Sequence, residues 1–549
     1  VNLFFKKYWV YIAYALLTLA VTWPFFSSSG FVFLLDGSWG PNLDLADSLR
    51  DGINSGLPLT AAIKLLSFVI PLAFLHKVLL SLMLFLPAVF MYRLAQVFMS
   101  RELAFVSGVF YMCNPWVLER FVAGQWLVLL GYAFMPFLVV LYLRLLAKPN
   151  RNNYFKFALM FAIFPLLSLH FAYISAGLLG AVSLVYLFLN RSSKNWGFYF
   201  RFLKYGGIAL VFFMLVNSFW IFNFNDPTAT LPRITFDDFR AYQTMSDVTW
   251  GPYFNVVSLY GFWNQEVVLP KDVNPFWWVN TFIILLFSLF GMYYLVRKKS
   301  PLAITLAILY IPVVVASVGL VSPLGEAFVQ SLYQYVPMFK GLRDTEKLSG
   351  VIAFTYALCV PMGAHLMYLI LSNYKAEYKK IFMGVLYAVM LFIPLASTFS
   401  IFSGVNGYVP VGRYPEGWYQ AEAALRRDMD SGKVLVLPWR GYMNMSFADM
   451  HLISNPAQRF FTPELIVSRN EGNDNLAETH NSPWDQKIFQ IIQGFETIDE
   501  NIAYLKGEGV GHIMLLKEAD YERYSAILEI SQGIQKVLDS ERLVLFEVK

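Results

Sequence analysis

Residues 113–147 read CNPWVLERFVAGQWLVLLGYAFMPFLVVLYLRLLA, and the run 126–143 within them carries no charge. Backbone polar groups in hydrocarbon must be satisfied inside their own segment, so a run of this length and composition reads as a membrane-crossing helix. On its N-terminal side Asn114-Pro115 stops a preceding helix and sets Glu119 and Arg120 at the membrane's edge. An ionisable residue at membrane depth costs roughly 2.5–3.5 kcal/mol on insertion scales, so it calls for a partner. Two readings stand for this pair: a snorkelling anchor at the helix end, or part of a polar site.

The rest of the chain repeats the pattern. Of 549 residues, 57% are hydrophobic and 14% charged, and mean hydropathy is +0.51, which excludes a soluble enzyme. Spans are expected near 8–26, 77–98, 102–116, 126–147, 154–168, 171–190, 204–223, 276–296, 301–320, 350–371 and 381–402. The run 59–75, with Lys64 and Pro71, suits a helix lying at the interface or packed beside it. With that run left out, the lysines and arginines collect on one side of about eleven spans, with the N-terminus cytoplasmic and the C-terminal domain extracytoplasmic. Lys6 and Lys7 precede a long apolar run without a small-residue cleavage site, as in an uncleaved signal anchor.

Charge divides the chain a second time. Residues 403–549 hold 35 of the 79 charged residues, and there acids outnumber bases 21 to 14. The expected organisation is therefore a polytopic α-helical membrane domain, 1–402, with outside loops 27–77, 225–275 and 321–349, followed by a soluble extracytoplasmic α/β domain, 403–549. Strands are expected at 433–438 (KVLVLP), 511–516 and 542–548, and helices at 416–430, 499–506 and 519–528. An acidic tail is a poor match for nucleic acid, and no such partner is expected. Cys113 and Cys359 both lie in apolar segments, so no disulfide framework staples the tail.

Three outside stretches carry the candidate chemistry. The first loop, FVFLLDGSWGPNLDLADSLRDG, places Asp36 after five apolar residues and before a turn-rich aromatic segment; partial burial there would raise its pKa toward that of a general base. Asp44 is the second choice, while Asp47 and Asp51 read as a solvated acidic face. The second stretch is the Glu119-Arg120 turn. The third, FKGLRDTEKLSG, packs Lys340, Arg343, Asp344, Glu346 and Lys347 together just before a late span. Headgroup anchoring explains its bases but not the interleaved acids. A site that grips a lipid-linked phosphate while orienting a hydroxyl explains both signs. His170, in PLLSLH, reads as polar support or a hydrogen-bonded core residue.

These residues carry a resemblance. A first-loop carboxylate, the NPWVLERFVAGQ turn, PLLSLH, the RDTEK cluster and an outward α/β tail resemble the YfhO-like membrane proteins of the GT-C class of glycosyltransferases, which also includes arabinofuranosyltransferases and protein mannosyltransferases. The resemblance implies a first-loop catalytic carboxylate, Asp36 or Asp44. A DxD spacing is absent from the first loop, which leaves a divalent cation such as Mg or Mn open. The expected activity is inverting transfer of a hexose or pentose from a polyprenyl-phosphate donor to a glycan, lipid or protein acceptor, since nucleotide sugars are cytoplasmic and every candidate residue faces out. Asp36 would act as base, with Arg120, Arg343 and Lys347 on the phosphate and Glu119, His170, Asp344 and Glu346 as acceptor or polar support. A transporter or lipid flippase is the rival, weakened by missing internal repeats and by the absence of mid-span Asp and Glu; a non-catalytic assembly protein is the other.

Overall fold

The computed structural model describes residues 2–43, 54–192, 196–222, 231, 234–264, 275–371, 379–428, 432–468, 486–488, 490–491 and 498–549. The chain divides into two compact units: one of residues 1–22, 79–223 and 242–406, the other of 23–78, 224–241 and 407–549.

The first unit is helical. Among the described residues, eight helices are long and apolar enough to cross a membrane: Lys7–Ser27, Leu72–Ala95, Trp126–Ala147, Leu169–Leu189, Trp196–Ile221, Trp277–Arg297, Pro301–Val321 and Thr345–Ile370. The segments expected at 102–116, 154–168 and 381–402 are helical too, as Arg101–Met112, Arg151–Leu167 and Lys379–Ser397. The run 59–75, which belongs to the second unit, becomes the short helix Leu57–Ser67 and, after a break before Pro71, the start of Leu72–Ala95. Helix packing here depends on close backbone approach. A Cβ on Gly291 would lie 1.8 Å from the Cys359 carbonyl oxygen, and one on Gly363 would lie 1.9 Å from that of Phe287. Bare glycines thus let Trp277–Arg297 and Ser349–Leu371 pack backbone to backbone, as small residues do in lipid.

The second unit is α/β. Its sheet has the order β6-β3-β7-β9-β8, where β3 is Lys433–Leu437, β6 Leu465–Ile466, β7 Val510–Leu516, β8 Ile534–Asp539 and β9 Leu543–Val548. β3 runs parallel to β6 and β7, whereas β9 is antiparallel to β7 and β8. Both faces of the central strands are buried, which is why KVLVL is a continuous apolar run. Val434 and Val436 face a core with Trp418, Tyr414, Phe460 and Phe461; Leu435 and Leu437 face one with Leu505, Tyr524 and Leu528.

The first loop is built into this unit. β1, Phe31–Val32, pairs antiparallel with β2, Val411–Gly412. Phe31 and Phe33 lie in the core beside Tyr414, whose hydroxyl donates to the Trp39 carbonyl at 2.8 Å. The Asn42 side chain donates to the Phe461 carbonyl at 2.8 Å, and His76 stacks on Trp39 at 4.7 Å.

Candidate functional site

In the helical unit the NPWVLER sequence makes its own turn. Asn114 caps the helix Pro115–Val122, accepting from the Val117 amide at 3.1 Å while its side-chain amide donates to the carbonyls of Phe110 and Tyr111. Pro115 sits in the first turn, where its missing N–H costs nothing. That helix delivers Glu119 and Arg120 fully buried, each with 0% exposure.

Arg120 is the centre of an ion cluster. Its guanidinium donates to Asp344 Oδ2 at 2.7 Å and Oδ1 at 3.4 Å, to Gln125 Oε1 at 2.6 Å, and to Glu346. It also lies over the Phe262 ring at 4.7 Å and the Trp116 ring at 5.7 Å. The two carboxylates outweigh desolvation and raise the arginine's pKa further, so it stays charged. Burial alone would lift the Asp344 pKa, but Arg120, and after it Lys347, hold it below the usual carboxylate range.

The third stretch folds as two 3-10 turns, Phe339–Leu342 and Thr345–Leu348, leading into the helix Ser349–Leu371. Asp344 and Glu346 both turn inward onto Arg120. Lys347 reaches Asp344 at 3.5 Å, and its side chain keeps 12% exposure. Arg343, half-buried, lies over the Tyr242 ring at 4.6 Å. His170 feels the charges of Lys347, Asp344, Arg343 and Arg120.

Glu119 faces the segment 242–264. Its carboxylate accepts from the backbone amides of Gly261 and Phe262 at 3.4 and 3.3 Å. Gly261 has φ +139°, and a Cβ there would lie 2.9 Å from Thr244 and 3.4 Å from Glu346, so glycine is required. The Thr244 hydroxyl donates to the Ser317 carbonyl at 2.6 Å. Glu119 and Arg120 thus work inside the protein rather than as a headgroup anchor, and each finds a different partner.

Asp36 lies in the α/β unit. It is exposed, whereas Leu34, Leu35 and Ser38 beside it are buried, and Oδ1 accepts from the Tyr442 hydroxyl at 2.9 Å. The expected partial burial of the carboxylate is therefore corrected: the apolar residues before it turn into the core, and Asp36 itself is exposed. Asp44, Asp47 and Asp51 lie outside the described residues. Among the described residues, no group of three His, Cys, Asp or Glu side chains is placed to hold a metal ion.

No protein-family model and no curated protein matches the sequence. Solved structures do. The arabinofuranosyltransferase AftD from mycobacteria is similar over 99% of this chain and 40% of its own, with a TM-score of 0.64 and 16% identity. ArnT from Cupriavidus metallidurans is similar over 99% of this chain and 98% of its own, at a TM-score of 0.51 and 11% identity. The Archaeoglobus fulgidus oligosaccharyltransferase matches 96% of this chain and 72% of its own, with a TM-score of 0.52 and 12% identity. The chain has the GT-C fold.

At these identities the likeness is one of fold, and the chain spans only 40% of the length of AftD. The GT-C architecture of this multi-pass membrane protein brings together Arg120, Asp344, Glu346, Lys347, Arg343 and His170, which the sequence spreads over three stretches. Partners that sequence reading missed are Tyr242, Thr244, Phe262 and Tyr442. None stands in a motif. The one available signal was Gly261, a glycine in an aromatic loop segment, YGFW.

Proposed function

We propose that this chain is a membrane glycosyltransferase that moves a hexose or pentose from a polyprenyl-phosphate donor to an extracytoplasmic glycan, lipid or protein. The observation that carries the reading is a GT-C fold over nearly the whole chain, holding a buried cluster of acids and bases. In a single inverting displacement the acceptor hydroxyl oxygen bonds to the anomeric carbon as the carbon–oxygen bond to phosphate breaks. The bonding pair leaves with the polyprenyl phosphate, and the hydroxyl proton passes to the Asp36 carboxylate. Arg343 and Lys347 neutralise the departing phosphate. Arg120, enclosed and already engaged by two carboxylates, fixes Asp344 and Glu346 instead of touching the donor. Glu119 and His170 give polar support, and no step is routed through a metal. The N-terminus is assigned to the cytoplasm and the C-terminal region to the outside of the cell membrane.

Purified protein in lipid nanodiscs, given polyprenyl-phosphate-linked pentoses and hexoses, is expected to release polyprenyl phosphate in an acceptor-dependent way. Movement of the intact lipid between leaflets without sugar release would mark a flippase. A C-terminal reporter active only outside the cytoplasm is expected to give signal; signal from a cytoplasmic reporter alone overturns the topology.

A further inference from the structure

The segment carrying Asp36 is gripped at every step by the C-terminal part of the chain. The Phe33 amide donates to the Pro410 carbonyl at 3.0 Å, the Ser454 amide donates to the Leu35 carbonyl at 2.7 Å, and the Tyr442 hydroxyl donates to Asp36 Oδ1 at 2.9 Å. Tyr442 and Ser454 face each other across the antiparallel hairpin of β4, Tyr442–Met445, and β5, His451–Ser454. One end of one hairpin therefore holds both the backbone before the carboxylate and the carboxylate itself. Leu34 and Leu35 are locked in the protein, and the Ser38 hydroxyl closes back on the Leu34 carbonyl at 3.0 Å. What such a frame leaves to be set is the carboxylate's rotation, and the Tyr442 hydroxyl is placed to set it.

We propose that Tyr442 is a positioning residue for Asp36, and that the C-terminal unit serves transfer by presenting this carboxylate to the acceptor hydroxyl in one orientation. The inference rests on Asp36 acting as the base. An ordered base keeps its acceptor lone pair aimed at the reacting proton; a freely rotating one is aimed correctly only part of the time. The hydrogen bond is near the surface and contributes little to stability, so its loss separates positioning from folding.

The test is Tyr442→Phe, which keeps the ring and removes one hydroxyl, assayed for release of polyprenyl phosphate from polyprenyl-phosphate-linked pentose and hexose. The expected result is a fall in kcat of about 3- to 10-fold, with KM for the donor and the melting temperature unchanged. In the Asp36→Asn background the same substitution should cost nothing further, because the two act as one. Wild-type kcat in Tyr442→Phe beside a crippled Asp36→Asn overturns the positioning role and leaves the base intact. Full activity in Asp36→Asn overturns the base reading itself. A further fall in the double variant, or a lower melting temperature for Tyr442→Phe, assigns the tyrosine to something other than aiming the carboxylate.

Discussion

The Arg120 cluster and Asp36 put charge to opposite uses. In the helical unit, Arg120 and Glu346 have no exposure and Asp344 almost none, and the guanidinium donates to both carboxylates. In the α/β unit, Asp36 stands in water on a segment whose neighbours are buried. A buried ion set is held together because separating it would strand charges in a medium that solvates them poorly. An exposed carboxylate such as Asp36, hydrogen-bonded by the Tyr442 hydroxyl, carries no such desolvation cost. Charge in this protein thus serves as framework in one region and, on the proposed function, as reagent in the other.

The sharpest way to break that contrast is Arg120→Met. Removing the cation leaves Glu346 buried without a counter-charge and Asp344 with Lys347 alone, and a loss of about 3–5 kcal/mol is expected. It should appear as a large fall in melting temperature or yield, partly rescued by adding Glu346→Gln. A variant that melts like the wild type would show that the cluster is not framework.

Asp36→Asn probes the other side. Turnover should fall by about 10² or more while the melting temperature holds, since the exposed carboxylate supports chemistry rather than the fold. If transfer persists and Asp44→Asn abolishes it, the base is Asp44.

Arg343→Lys asks which side of the contrast Arg343 belongs to. It keeps the charge but loses the forked donors, so apparent donor affinity should weaken by about 3- to 10-fold if the guanidinium grips phosphate. Unchanged affinity in both Arg343→Lys and Arg343→Ala would move it to the framework.

A smaller effect belongs to His512, a buried residue of β7. Desolvation lowers its pKa below 6.5, only partly opposed by Asp428, 3.8 Å away, and Glu547. A depressed folded-state pKa means the unfolded chain binds the proton more readily. Stability is therefore fully present above about pH 6.5 and is lost as the pH falls through the folded value. The melting temperature should drop between pH 7 and 5, and His512→Gln should flatten that drop.

Hydropathy made the helices legible because each depends only on its own residues: 126–147 and 301–320 reappear within two residues of their expected ends. KVLVL was legible as a doubly buried strand for the same reason. The strands β4, β5, β6 and β8 were not, being short or carrying a mostly exposed pattern such as that of β8. The acid–base cluster was legible in its members but not in its wiring. Nothing local says that Arg120 meets residues 224 and 226 positions later, or that Asp36 turns outward from the apolar run before it.

Synthesis gives the threaded first loop another meaning. Asp36 emerges 406 residues before Tyr442, an interval of roughly 20–80 s at about 5–20 residues per second. Throughout it, the apolar residues Phe31 to Leu35 wait without the strand and aromatic core that will cover them, a bare edge inviting wrong partners. A nascent chain can thread its early helices through the membrane well before then, yet the carboxylate proposed to do the chemistry is held only once the hairpin Tyr442–Ser454, made some 406 residues later, folds around it.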